Sequence, residues 1–232
     1  MRHLVSAFAF GAMMVAPPVA AQDRGTVVEL FTSQGCSSCP PADRILAQLA
    51  DRDDVIALAL HVDYWDYIGW TDDLGKAAFT ERQRGYAQTW QARQVYTPQM
   101  VVAGVDEFVG SHPVVAMDSV ASHPASADPV SLNLSRAGDM VTLTGQAVGP
   151  VPSTALVQLV RYDPEVVRDI EKGENAGKTV VYRNVVTSWA QVGPWNTAQP
   201  LNMQISAPGD QPVVVIVQDG ANGPILGAIR LR

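Results

Sequence analysis

The chain has two textures. In its first half, short apolar runs alternate with segments whose apolar residues recur at helical spacing. Residues 27–31, Val-Val-Glu-Leu-Phe, form a compact run of β-formers, and residues 42–50 place Ile45, Leu46 and Leu49 on one helical face. Residues 55–62 are apolar up to His61, which suits a parallel strand buried on both faces. Residues 76–94 read as a second helix with Ala77, Ala78, Phe79, Tyr86, Ala87 and Trp90 turned inward. Residues 99–102 and 107–109 are two short strands around Ala103-Gly104-Val105-Asp106, a hairpin spacing. Pro113 opens a third helix reaching about Ser122, because proline suits a first helical turn. The expected order is β-α-β-α-β-β-α in a mixed sheet.

Residues 122–129, rich in Pro and Ser, read as a linker, and the texture then changes. Residues 130–134, 140–148, 155–162, 179–189, 201–205, 213–218 and 225–231 are expected strands separated by Gly, Pro and Asp turns. Such spacing predicts a small all-β, sandwich-like domain. Residues 164–172 are expected to add one helical turn, and the polar, glycine-containing stretch 171–178 reads as a solvated connection. The expected divisions are a leader over 1–21, an α/β domain over 22–124 and a β domain over 125–232.

The leader is read from Arg2, an apolar stretch from Leu4 to Val15, and small residues Val19-Ala20-Ala21 before Gln22. It predicts export to the periplasm or beyond, and its apolar stretch is too short to span a bilayer, so no stable membrane insertion is expected after cleavage. The chain of 232 residues carries 16 Lys and Arg against 23 Asp and Glu, a formal charge of −7. That balance argues against nucleic acid or an anionic membrane as partner.

Chemistry enters with Cys36 and Cys39, the only two cysteines, which sit between the first strand and the first helix. A helix N-terminus favours a thiolate and can lower a thiol pKa to between about 3.5 and 7.5, which makes Cys36 the expected attacking thiol and Cys39 the resolving one. Pro40 and Pro41 support a helix starting at the motif. Two other uses remain open. An inert staple closing so short a loop would restrain the unfolded chain by only about 2 kcal/mol. A zinc site calls for four ligands, and no second C-x-x-C or H-x₃₋₅-H exists in the sequence. His61, Asp63, Tyr64, Trp65, Asp66, Tyr67 and Trp70 gather just past the carboxyl end of the second strand, where α/β sheets form ligand sites. His61 is there either a proton relay or metal ligand, or a hydrogen-bonded strand-end residue.

The segments Phe31-Thr32-Ser33-Gln34-Gly35-Cys36-Ser37-Ser38-Cys39-Pro40-Pro41-Ala42-Asp43, His61-Val62-Asp63-Tyr64-Trp65-Asp66 and Tyr96-Thr97-Pro98-Gln99 together resemble a family of secreted bacterial thioredoxin-like proteins of unknown function. The resemblance implies a thioredoxin-like core ahead of the β domain. It also implies a cis bond between Thr97 and Pro98, with the proline against the disulfide and Thr97 offering its backbone to a bound peptide. Glu29 matches an acid kept on the first strand of related proteins, seven residues before Cys36 here rather than six. In that position it would take the proton from Cys39, the alternative being a carboxylate paired with Lys or Arg.

The expected function is an exported thiol–disulfide oxidoreductase that needs no cofactor and acts on protein or small-molecule thiols, re-set by a separate redox partner. One alternative is a Cu(I)-binding protein using both thiolates and His61. Another is a non-catalytic interaction module that recognises partners through its β domain.

Overall fold

The computed structural model describes residues 22–232; the expected leader, 1–21, lies outside the described residues. In chain order the elements are β1 (Gln22–Arg24), β2 (Thr26–Thr32), α1 (Pro40–Ala50), β3 (Val55–His61), α2 (Ala77–Thr89), β4 (Gln99–Val102), β5 (Asp106–Val109) and α3 (Pro113–Ser122). These are followed by β6 (Val130–Ala137), β7 (Met140–Ala147), β8 (Thr154–Ile170), β9 (Lys178–Asn196), β10 (Leu201–Ser206), β11 (Val213–Gln218) and β12 (Ile225–Leu231). Among the described residues no helix is long and apolar enough to cross a membrane.

Every residue of β2 and β3 is buried, so both faces of these parallel strands are covered. Val28, Leu30, Val55, Ala57 and Ala59 pack on one face against Ile45, Leu46 and Leu49 of α1 and against Ala116 and Val120 of α3. Val27, Phe31, Ile56, Leu58 and Leu60 pack on the other against Phe79 and Tyr86 of α2. α1 forms because Pro40 and Pro41 fit its first turn and its apolar residues share one stripe.

The expected thioredoxin-like α/β core followed by a small β sandwich is overturned by the sheet topology. Strands from both sides of the linker form one nine-stranded mixed sheet in the order β1-β12-β11-β8-β9-β3-β2-β4-β5. A second sheet has only three strands, β10-β7-β6. The chain is mostly β, and its three α-helices cover one end of a sheet that continues into the C-terminal half. The join is β9 beside β3, parallel, with Ala59 opposite Val185. Asn184 makes this pairing possible: at φ 51° it sits in the left-handed region that Asn tolerates, and its Nδ2 donates to Ala57 O at 2.9 Å. The core follows the sheet, since Val160, Tyr162, Val186, Val214 and Ile216 extend the apolar layer begun under α2. On the opposite face Val213, Val215 and Val217 pack against the three-stranded sheet through Leu132, Leu134 and Leu143.

One further expectation changes, and Glu29 takes one of its two expected readings. Residues 164–170 form no helical turn but continue β8, whose long antiparallel partner β9 holds them extended. Glu29 lies on the α2 face and is fully buried, gripped by Arg82 Nε and Nη2 at 2.6 and 2.8 Å and by the hydroxyl of Tyr86 at 2.7 Å. Arg82 also donates to Ala221 O and stacks on Trp189, so this buried pair ties α2 to the C-terminal strands.

Two stability changes follow. Arg82→Ala leaves the Glu29 carboxylate buried without its cation and is expected to cost about 3–5 kcal/mol in chemical denaturation. Asn184→Ala strips Ala57 O of its donor and forces Ala into a left-handed conformation, an expected loss of about 2–4 kcal/mol in the same measurement.

Candidate functional site

β2 delivers the chain to a turn in which Cys36 N donates to Ser33 O and Cys39 N to Cys36 O, and α1 begins at once. The turn brings the two Cα atoms to 5.4 Å, and Cys36 and Cys39 are joined in a disulfide. Cys39 caps the helix N-terminus and is 0% exposed, while Cys36 is 2% exposed. Pro40 and Pro41 carry no N–H, so the first turn of α1 offers the sulfurs the macrodipole rather than amide donors of its own.

The tip of the β8–β9 hairpin lies over this turn. Asn175, buried, donates from Nδ2 to Gln34 O at 2.8 Å and to Cys36 O at 2.9 Å, and Lys178 Nζ holds the amide oxygen of Asn175 at 2.7 Å. Arg168 pairs with Asp73 at 2.8 Å, and Asp73 in turn accepts from Gln34 Nε2. That hydrogen bond to Arg168 keeps the Asp73 carboxyl below its usual range. Trp70 Nε1 closes the arrangement by donating to Gln34 Oε1 at 2.8 Å. The stretch expected to be a solvated connection is exposed at every residue but Asn175, and through Asn175 it is also a strap anchored on the disulfide turn.

Beneath the turn lies a buried polar cluster. Thr32 Oγ1 donates to Asp43 Oδ1 at 2.8 Å, and His61 Nδ1 lies 2.7 Å from Asp72 Oδ2, with the side chains of His61 and Asp72 fully buried. Thr32 and His61 stand opposite each other in the β2–β3 register, on the face that carries α1. Burial pushes Asp43 up to about 6, against the opposing pull of His61 and the Thr32 hydrogen bond. Burial also works against Asp72, yet the charge and hydrogen bond of His61 and the amides of Gln34 and Leu74 hold its carboxyl below the usual range. An ionised Asp72 can only accept, so His61 Nδ1 carries a proton toward it. Nε2 is buried with no hydrogen-bond partner, and the ring meets Tyr182 of β9 edge-on at 4.6 Å.

Thr97 and Pro98 reach the same end of the sheet, because β4 runs antiparallel to β2 with Gln99 opposite Phe31. Their peptide bond is cis. Thr97 Oγ1 accepts from Trp65 Nε1 at 2.7 Å, and the side chain of Trp65 packs against Gly35. Cys36, Cys39, His61, Thr97 and Pro98 therefore share one sheet end, whereas Glu29 faces the opposite side and is bound by Arg82. Among the described residues no group of three or more His, Cys, Asp or Glu is arranged to hold a metal ion. Asp43, Asp72 and Asn175 were not singled out by the sequence. Only Asp43 carried a readable signal, its i+4 spacing from Cys39 on an expected helix.

A solved structure of a protein from Agrobacterium tumefaciens, determined as a structural-genomics target, is 32% identical, with a TM-score of 0.76 over 89% of this chain and 93% of that one. HBP35 of Porphyromonas gingivalis is similar in fold at 15% identity, with a TM-score of 0.54 over 90% of this chain and 75% of that one. Among curated proteins none matches significantly. A family model described as a protein of unknown function, DUF1223, matches residues 27–218. The chain belongs to the DUF1223 family.

Proposed function

We propose that this protein is an exported thiol–disulfide oxidoreductase that works through Cys36 and Cys39. The observation that carries the reading is the placement of the chain's only two cysteines, bonded to each other at the N-terminus of α1. A staple gains little from closing so short a loop, whereas a helix start lowers the cost of a thiolate. In the reducing direction Cys36 thiolate attacks a substrate disulfide and forms a mixed disulfide. Cys39 then attacks Cys36 Sγ, re-forms the internal bond and releases the second substrate sulfur as a thiolate. The opposite direction runs the same steps backwards.

The substrates are protein or small-molecule thiols and disulfides, and a separate redox partner restores the starting state, with no cofactor beyond the cysteine pair. Thr97, beside the turn through Trp65, is the backbone on which a substrate chain would lie. The burial of Cys36 and the contacts of Asn175 support a further point: the strap must yield before a bulky substrate reaches the sulfur.

In the exporting cell, Cys39→Ser is expected to retain a partner on Cys36 as a mixed disulfide that dithiothreitol releases, and Cys36→Ser to retain none. Purified protein that neither reduces nor oxidises model disulfides, with no trapped partner in the cell, would refute the reading. Asn175→Ala removes two hydrogen bonds from the strap and is expected to speed reduction of Cys36–Cys39 by a small thiol about tenfold, measured by timed alkylation.

A further inference from the structure

Resolving the mixed disulfide poses a proton problem at Cys39. Its thiol is fully buried, so forming a thiolate there without a nearby acceptor is costly. Ser37 and Ser38 are exposed and too weakly basic to help. Glu29, which one of its two expected readings gave this task, is on the other face of the sheet and ion-paired with Arg82.

Asp43 is a buried carboxylate on the helix that Cys39 caps. It follows Cys39 by four residues in α1, with Asp43 N donating to Cys39 O at 3.1 Å, so the two side chains lie on one helix face. Helical side chains lean toward the N-terminus, which carries the Asp43 carboxyl back over the turn that holds Cys39. Both residues are buried. Thr32 Oγ1 fixes one carboxyl oxygen at 2.8 Å and thereby sets the direction of the group.

We infer that Asp43 is the proton acceptor and donor for the Cys39 thiol. This rests on the oxidoreductase reading above. In the mixed disulfide, the proton passes from Cys39 Sγ to the Asp43 carboxylate. The Cys39 thiolate attacks Cys36 Sγ, the Cys36–substrate S–S bond breaks, and its electron pair leaves on the substrate sulfur. The substrate disulfide has then gained two electrons, the cysteine pair has lost two, and Asp43 releases its proton to water. In the opposite direction Asp43 returns the proton to Cys39 as the internal bond opens.

The surroundings suit the role. Asp43 faces His61 from β3, Asp72 from the loop that follows, Thr32 from β2 and Tyr182 from β9, with Arg44 on its own helix. Burial raises its pKa to about 6, close to the operating range of a general base, while His61 offsets part of that rise. In the proposed step a carboxylate beside a thiolate would be repelled by it, so the pair would hold one proton between them. His61 is a positioning residue here: Asp72 holds its Nδ1, and its ring supplies the counter-field to Asp43.

The test separates the two half-reactions. Wild type and Asp43→Asn, which keeps the oxygen that accepts from Thr32, are reduced and mixed with a chromogenic aromatic disulfide across pH 4.5–8. Formation of the Cys36 adduct, followed in a Cys39→Ser background, is expected to match with and without the Asp43 change. Resolution by Cys39 is expected to slow at least tenfold near pH 7 in Asp43→Asn. Wild-type resolution should rise with pH as the Asp43–Cys39 pair loses its shared proton, and the variant should lack that inflection. Asp43→Glu is expected to recover part of the rate. A variant resolving at the wild-type rate with the wild-type profile overturns the role of Asp43 alone, and a wild type that forms no Cys36 adduct overturns the oxidoreductase reading with it. Should Asp43→Asn fail to fold, carbon-detected NMR titration of Asp43 in the wild type decides: a pKa near 6 that moves on reduction supports the role, and one indifferent to reduction refutes it.

Discussion

The backbone of a buried strand must find partners, and β3 meets that requirement with one parallel bridge to β9 at Ala59–Val185 and with side chains, Asn184 donating to Ala57 O and Arg230 to Val55 O. The rest of the molecule follows from this join. It fuses the two halves into one sheet, and it directs the β8–β9 hairpin past the helix-covered end, where the tip lands on the disulfide turn. Asn184 supplies the local chemistry, taking a left-handed conformation and completing the hydrogen bonding of Ala57 where the regular ladder cannot. The Glu29–Arg82 pair reinforces the same union from the other face, with Gln218 of β11 within reach of both Arg82 and Tyr86.

Local structure was legible in the sequence because it depends on near neighbours. The apolar runs at 27–31 and 55–62 became β2 and β3, Pro40-Pro41 and the stripe from Ile45 to Leu49 became α1, and the hairpin around Gly104 formed as its spacing required. Pairing across more than a hundred residues was not legible. Period-2 alternation says that residues 179–189 form a strand, but nothing in it says that Val185 will lie beside Ala59. The expected fold class, a thioredoxin-like α/β core followed by a small β sandwich, was overturned for this reason. Residues 164–170 misled differently, since a short segment mixing charged residues with Val166, Val167 and Ile170 after a proline has weak local preferences that a long antiparallel partner overrides.

The site divides along the same line. Cys36, Cys39, His61, Thr97 and Pro98 were readable because each sits at the end of an element whose position the local pattern gives. Asp72 and Asn175 were not, because their roles exist only after a loop and a distant hairpin fold back onto the turn. Glu29 shows the opposite case: an acid on the first strand has two possible partners, and Arg82 claims it. What results is a disulfide at a helix start, almost closed to solvent, with proton-bearing groups beneath and a polar strap above. On the proposed reading, burial and the strap restrict access, and the helix start and the Asp43–His61–Asp72 cluster favour thiol chemistry once access is gained.

The central claim is that Cys36–Cys39 is a working redox pair rather than a staple, and its equilibrium with glutathione tests this most directly. Titration of the purified protein in glutathione buffers, quenched by alkylation, is expected to show one reversible two-electron couple between about −120 and −270 mV, the span of known disulfide-exchange proteins. A disulfide that stays oxidised below about −300 mV, in the range of structural bonds, would contradict the account.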